Sequence, residues 1–495
     1  MALNLSMEAV SAAAGELWAL VRPGGTSYEV HWAGFIGHHG HVVVELALVA
    51  MILYLLLQKG QPAGPDSGPL TEKEVDTLCA EWQPEPLCQP LSASEARLVR
   101  PPVIEGATGT NARVGGRRVL NLCATNFLGI AGRSEVQAAC EDTLNKYGCG
   151  SCGPRGFYGT IDVHLQLEAE IARFMGTEEA IIYSYDLATL PSIIPAFANR
   201  KDVIICDEGV NYAIQNGCDL SRSRILTFKH NDAADLERIM EMVAAEDKKL
   251  KTKLNRKYVV VEGIYANFGD LAPLDRIFAL KEKYKYRLIV DESLSLGVLG
   301  ATGRGACEHF GIHGRAEIVA ASMGNSMATI GGFCCGDREI CDHQRLSGAG
   351  YCFSASLPPF LATAALGALS YMEQGGQDQL EAVRRNAQLM RSKLAGSLTG
   401  LQVTGGALDA VSPLIHLCLT QPPASADTAT DTLQDVVDGC LAEGVLLSIN
   451  SVSRLDAARP PPSLRLAVTS EHSAADLSTA AKVLAKVSKR LLASR

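Results

Sequence analysis

The chain has 495 residues, 47% of them hydrophobic and 20% charged, a balance that suits about two to four globular domains and excludes disorder, collagen or coiled coil as the main architecture. Lysine and arginine number 45 against 54 aspartates and glutamates, so the net charge is −9 and a nucleic-acid partner is not expected. The 15 cysteines are odd in number and scattered; Cys149 and Cys152 form the only C-x-x-C, with no second pair or histidine at ligand spacing, so no metal site is expected and reduced thiols in a cytosol-facing body are.

In chain order, Val10, Ala14, Leu17, Trp18 and Val21 recur at helical spacing before Pro23-Gly24-Gly25. That pattern fits an amphipathic helix on a membrane surface or a helix packed on a partner. Val42–Leu57 (VVVELALVAMILYLLL) would span about 24 Å as a helix, against a hydrocarbon core of ~30 Å. Its flanks can extend it into the interface, and Glu45 lies one turn from its end, within reach of headgroups. Residues 1–58 are therefore expected to form a membrane-associated amphipathic segment and a single transmembrane anchor helix, with a buried core helix as the alternative. A cleaved signal peptide is disfavoured, because a long segment precedes the apolar run and Gln58-Lys59 is no small-residue cleavage site. Residues 59–118 read as a Pro/Gly linker and an N-terminal arm, in which Thr71-Glu72-Lys73-Glu74 is a capping box opening a helix through Trp82.

Beyond Val119, short apolar runs alternate with helical patterns. Strands are expected at Glu179–Tyr183, Val203–Cys206, Tyr258–Glu262, Arg287–Asp291, Ile318–Ser322 and Gly332–Cys335, with helices at His164–Phe174, Ala233–Ala245 and Leu274–Lys283. This alternation predicts an α/β major domain over 119–357 built on a mostly parallel, buried sheet. Residues 358–495 read as a smaller C-terminal α+β domain. It has helical patterns at Pro358–Glu373 and Gln379–Leu398, strands at Leu414–Leu419, Val445–Ile449 and Ser463–Val468, and a last helix from Ala474. Sites in such sheets lie beyond the carboxyl ends of the strands. There the sequence places Ser184-Tyr185-Asp186, Asp207-Glu208, Glu262-Gly263 and Asp291-Glu292. Each of these alone is ordinary for the fold.

The ordered set is more specific. A glycine-rich block, Lys146 to Thr160 (KYGCGSCGPRGFYGT), is followed by Glu262-Gly263-Ile264-Tyr265, Asp291-Glu292-Ser293, Gly331-Gly332-Phe333, Phe353-Ser354-Ala355-Ser356-Leu357-Pro358-Pro359 and Arg465. From about Asn121 to the C-terminus this pattern resembles the α-oxoamine synthases, a family of fold-type I pyridoxal-phosphate (PLP) enzymes. In catalytic members a lysine six residues before the Gly-Gly forms a Schiff base with the cofactor. Here that position is Asn325, an amide cannot do that chemistry, and no lysine occurs between Tyr286 and Ser392. By the same alignment Asn211 replaces the ring-stacking histidine and Leu294 replaces the histidine of D-E-A-H. Asp186 falls in the phosphate loop, where a carboxylate would repel the phosphate. Asp291 keeps the pyridine-nitrogen position as a leftover strand-end acid.

The resemblance implies a chain with no catalytic residue of its own that completes the site of a second, lysine-bearing subunit holding the PLP. Ser354, Ala355 and Ser356 would be lent to that partner's PLP phosphate. Gly153, Arg155 and Tyr158 would line the interface or the acyl-thioester entry, and Arg465 would pair a substrate carboxylate or form a structural ion pair. The implied reaction condenses L-serine with a long-chain acyl-CoA such as palmitoyl-CoA to 3-ketosphinganine, the first step of sphingolipid biosynthesis. The implied setting is the endoplasmic reticulum membrane, single-pass, with the body facing the cytosol and small activating or inhibitory membrane subunits as further partners. Two other readings stay open: a self-sufficient homodimeric synthase, and a membrane-tethered regulatory homologue without activity.

Overall fold

The computed structural model describes residues 48–54, 70–250, 255–407, 410–450, 456–457 and 460–493. The chain divides after Pro90 into two units. In the first, residues 48–54 are helical, and the rest of the expected anchor lies outside the described residues. No helix among the described residues is long and apolar enough to cross a membrane. The capping box does form. Glu74 N–H donates to Thr71 Oγ1 at 3.4 Å, Thr71 N–H donates to Glu74 Oε2 at 2.8 Å, and the helix Glu72–Glu81 ends at Trp82.

The second unit begins with a short helix, Ala93–Leu98, followed by a hairpin, β1 (Asn111–Val114) and β2 (Arg117–Asn121). Gly115 and Gly116 both adopt positive φ in its two-residue turn, the geometry that matches strand twist. The central sheet comprises β3 (Glu179–Tyr183), β4 (Val203–Asp207), β5 (Arg224–Phe228), β6 (Lys257–Glu262), β7 (Arg287–Asp291), β8 (Ile318–Ser322) and β9 (Gly332–Gly336). Their order is β3-β9-β8-β7-β6-β4-β5. Neighbours from β5 to β8 run parallel, while β9 is antiparallel to both β8 and β3, so the sheet is mixed with a parallel majority. The expected strands fall where the apolar runs lie. The unexpected one, β5, is an edge strand that buries fully only Phe228, so it carries no continuous apolar run.

A smaller antiparallel sheet follows. It is built from β10 (Leu401–Thr404), β11 (Leu414–Leu419), β13 (Ser448–Asn450) and β14 (Ser463–Ala467), in the order β10-β11-β14-β13. The expected strand Val445–Ile449 is broken at Leu447. Its first part, β12 (Val445–Leu446), pairs with β2, and its second part joins the small sheet as β13. Two large apolar cores result. The helix Pro359–Gln374 buries Ala362, Ala365 and Ala368 in the core of the central sheet. The helix Gln377–Leu394 places Val383 in that core and Met390 and Leu394 in the second.

Candidate functional site

Parallel register sets Glu262 beside Asp291 at the carboxyl ends of β6 and β7, and both are buried. Burial, and then the charge of Asp291, push the Glu262 carboxyl up to about 8, and burial raises Asp291 as well. Asn211 joins the pair. It caps the helix Tyr212–Ser221 by accepting from Ile214 N–H at 3.1 Å. Its own N–H donates to Glu262 Oε1 at 2.7 Å, and its Nδ2 donates to Asp291 Oδ2 at 2.9 Å. The other Asp291 oxygen accepts from the Ser293 N–H at 2.9 Å and from the Ser293 hydroxyl.

Asn325 follows β8 in a turn closed by Ala328 N–H on Asn325 O at 3.0 Å and Thr329 N–H on Met323 O at 3.0 Å. Its Nδ2 donates to the Ser293 carbonyl at 2.7 Å. Asn211, Asp291, Ser293 and Asn325 thus form one chain of hydrogen bonds across three strand ends. Asp186 lies beyond β3, where its Oδ1 accepts from Leu187 N–H at 2.7 Å and its Oδ2 from the Ser322 hydroxyl at 3.4 Å. Leu294 is half-buried and packs on the core. These residues do not fit a covalently held PLP. An amide stands at the lysine position and is spent on a backbone carbonyl. Both Asp291 oxygens already accept hydrogen bonds, from Asn211 and Ser293, and the phosphate loop carries a carboxylate.

The glycine-rich block builds a different feature. Arg155–Gly159 forms one π-turn, with Gly159 N–H and Phe157 N–H both donating to Pro154 O at 2.9 Å. Arg155, expected at the interface or acyl entry, is buried instead. Its Nη1 and Nη2 donate to Glu168 Oε1 and Oε2 at 2.9 Å each, and its Nε donates to Thr160 Oγ1 at 3.0 Å. With those donors spent on Glu168 and Thr160, it serves the fold. Glu168 also accepts from Ile182 N–H at 3.1 Å, tying the turn to β3. Gly153 has no room for a side chain, since a Cβ would lie 2.8 Å from Phe157 O. Tyr158 points outward with φ +64°.

Of the segment expected to reach a partner, Ser356 is buried. Its N–H and Oγ donate to Gly153 O at 2.9 and 3.0 Å, so that hydroxyl is committed within the chain. Ala355 is exposed and Ser354 half-exposed; Ala355 forms a β-bridge with Pro154 and accepts from the Ser184 hydroxyl at 2.5 Å. Arg465 lies on β14, opposite His416 of β11. Its Nε is buried without a hydrogen-bond partner, and no carboxylate pairs with it, among the described residues. Burial, and then Arg465, depress the His416 imidazole to about 3, so it is neutral; its Nδ1 meets Ser463 Oγ at 2.8 Å, and its Nε2 has no hydrogen-bond partner among the described residues. Glu168 and His416 were not singled out from the sequence. Their partners are distant in the chain or on a neighbouring strand, and no local spacing marks them.

The aminotransferase class I and II family matches residues 117–484. Long chain base biosynthesis protein 1b of Oryza sativa subsp. japonica is 44% identical over 455 residues, 92% of each chain. Serine palmitoyltransferase 1 of Dictyostelium discoideum is 41% identical, covering 90% of this chain and 93% of its own. Among solved structures, the Sphingomonas wittichii serine palmitoyltransferase superposes with a TM-score of 0.71 at 26% identity, covering 81% of this chain and 96% of its own. A structure described as SPT with PLP internal aldimine gives a TM-score of 0.71 at 25% identity, covering 80% and 94%. The mixed α/β sheet, the strand-end site and these relatives together place the chain in the serine palmitoyltransferase 1 and long chain base biosynthesis protein 1 family, on the fold of the class I and II aminotransferases.

Proposed function

We propose that this chain is the non-catalytic but required subunit of serine palmitoyltransferase, the acyltransferase that condenses L-serine with a long-chain acyl-CoA to 3-ketosphinganine. The observation that carries the reading is Asn325. The group at the Schiff-base position is an amide, and it donates to Ser293 O. PLP supplies electron-sink chemistry when bound, and in this reading a lysine-bearing homologous subunit holds it. The contribution of this chain is to complete that partner's site with the exposed Ser354–Ala355 backbone and hydroxyl, braced from behind by Ser356 and Gly153.

The same reading attaches the body to the cytosolic face of the endoplasmic reticulum through the apolar run at 42–57, near its oily substrate and product. Small activating or inhibitory membrane subunits would bind there. The test is to purify the chain alone and together with a lysine-bearing relative, and to assay both with L-serine and palmitoyl-CoA. Activity and visible PLP absorbance are expected only in the mixture. Turnover by the lone chain, with PLP covalently attached, would overturn the proposal.

A further inference from the structure

The glycine-rich turn holds a costly conformation. A bulky residue at positive φ is rare, and such strain persists only where the surroundings over-determine it. Tyr158 sits at φ +64° and is fully exposed at 103%, with Phe157 beside it at 67%. Among the described residues the Tyr158 ring makes no hydrogen bond or ring contact that would offset the strain, and it is fully exposed. What holds the backbone lies beneath it: the Arg155–Glu168 pair, and Gly159, where a Cβ would come within 1.9 Å of Gly153 O.

The mounting reaches further. Gly153 O takes both donors of Ser356, and Pro154 bridges Ala355. His164 stiffens the same junction, accepting from Ile161 N–H through Nδ1 at 3.1 Å and donating through Nε2 to Leu357 O at 2.6 Å. Phe353, 85% exposed, stands just before this weld. The stretches Gly156–Tyr158 and Phe353–Ala355 contain no charged residue. Rigid, uncharged, exposed aromatics are what the desolvated centre of a protein interface uses.

We infer that Phe157 and Tyr158 form a pre-strained aromatic tip that anchors this chain in an apolar recess of its lysine-bearing partner, with Phe353 at the rim. The assignment rests on the reading above. It moves the binding role from Arg155, which is internal, to the two aromatic residues that Arg155 supports.

The experiment uses the full chain co-purified with its lysine-bearing relative and compares the parent, Phe157→Ser/Tyr158→Ser and Tyr158→Gly. Subunit affinity is measured by sedimentation and the unfolding temperature on the separated chain. The double variant should pair at least ~30-fold more weakly, as loss of an aromatic hot spot does. Tyr158→Gly, which suits positive φ, should weaken pairing while leaving the unfolding temperature of the separated chain unchanged or higher. Undiminished pairing of the double variant overturns the tip, as does a lowered unfolding temperature of the glycine variant, which would make the tyrosine a structural residue. A parent chain that does not pair at all overturns the subunit reading itself.

Discussion

The strand-end cluster around Asp291 and the glycine-rich turn around Tyr158 handle unfavourable groups in opposite ways. At the strand ends the groups are polar and buried, and the chain satisfies them itself: Asn211 bridges Glu262 and Asp291, and Asn325 bonds the Ser293 carbonyl. At the turn a buried ion pair supports side chains that the chain leaves uncovered. Buried polar groups must be paired, and at the strand ends the chain pairs them within itself. Exposed apolar groups on a strained backbone have no such internal remedy and point outward to another molecule.

The contrast can be broken most forcefully at the mounting. Arg155→Ala leaves Glu168 buried without its charge partner, which should cost about 3–5 kcal/mol of stability in urea unfolding of the lone chain. A loss under 1 kcal/mol would show that the turn is not held from beneath. At the strand ends the handle is pH. The Glu262 carboxyl sits at about 8 in the fold against an ordinary 4.5, so the folded chain retains a proton that the unfolded chain releases within that window. Stability should therefore fall as pH rises from 4.5 to about 8. Glu262→Gln, which cannot ionise, should flatten that slope and gain on the order of 2 kcal/mol over the parent at pH 8 relative to pH 5. Parallel pH profiles for the two proteins would mean that Glu262 is charged throughout.

The smallest expected effect is a null. Asn325→Lys in the lone chain should yield neither visible PLP absorbance nor turnover, because Asn211 still occupies Asp291 and Asp186 remains in the phosphate loop. Product from that single variant would show that the seat is less altered than the contacts indicate.

Much of this was legible in advance. The fully buried strands β4, β6 and β7 announce themselves as apolar runs, because a strand covered on both faces has no polar side to display. The edge strand β5 and the split at Leu447 were not legible, since exposure and a change of sheet partner are set by neighbours far along the chain. Asn325 could be placed by counting back from Gly331. The pairing of Arg155 with Glu168 was not legible, because the sequence spacing between them carries no sign that the two side chains will meet.

The sequence by itself determined the buried strands of the central sheet, the family resemblance and the asparagine at position 325, because composition, periodicity and residue identity are local properties. Only the tertiary structure decided which groups are spent and which are offered. Whether Asn325 meets a carbonyl, Arg155 a carboxylate and Tyr158 solvent depends on which distant segments fold against each, and burial then fixes the cost of leaving a polar group unpaired.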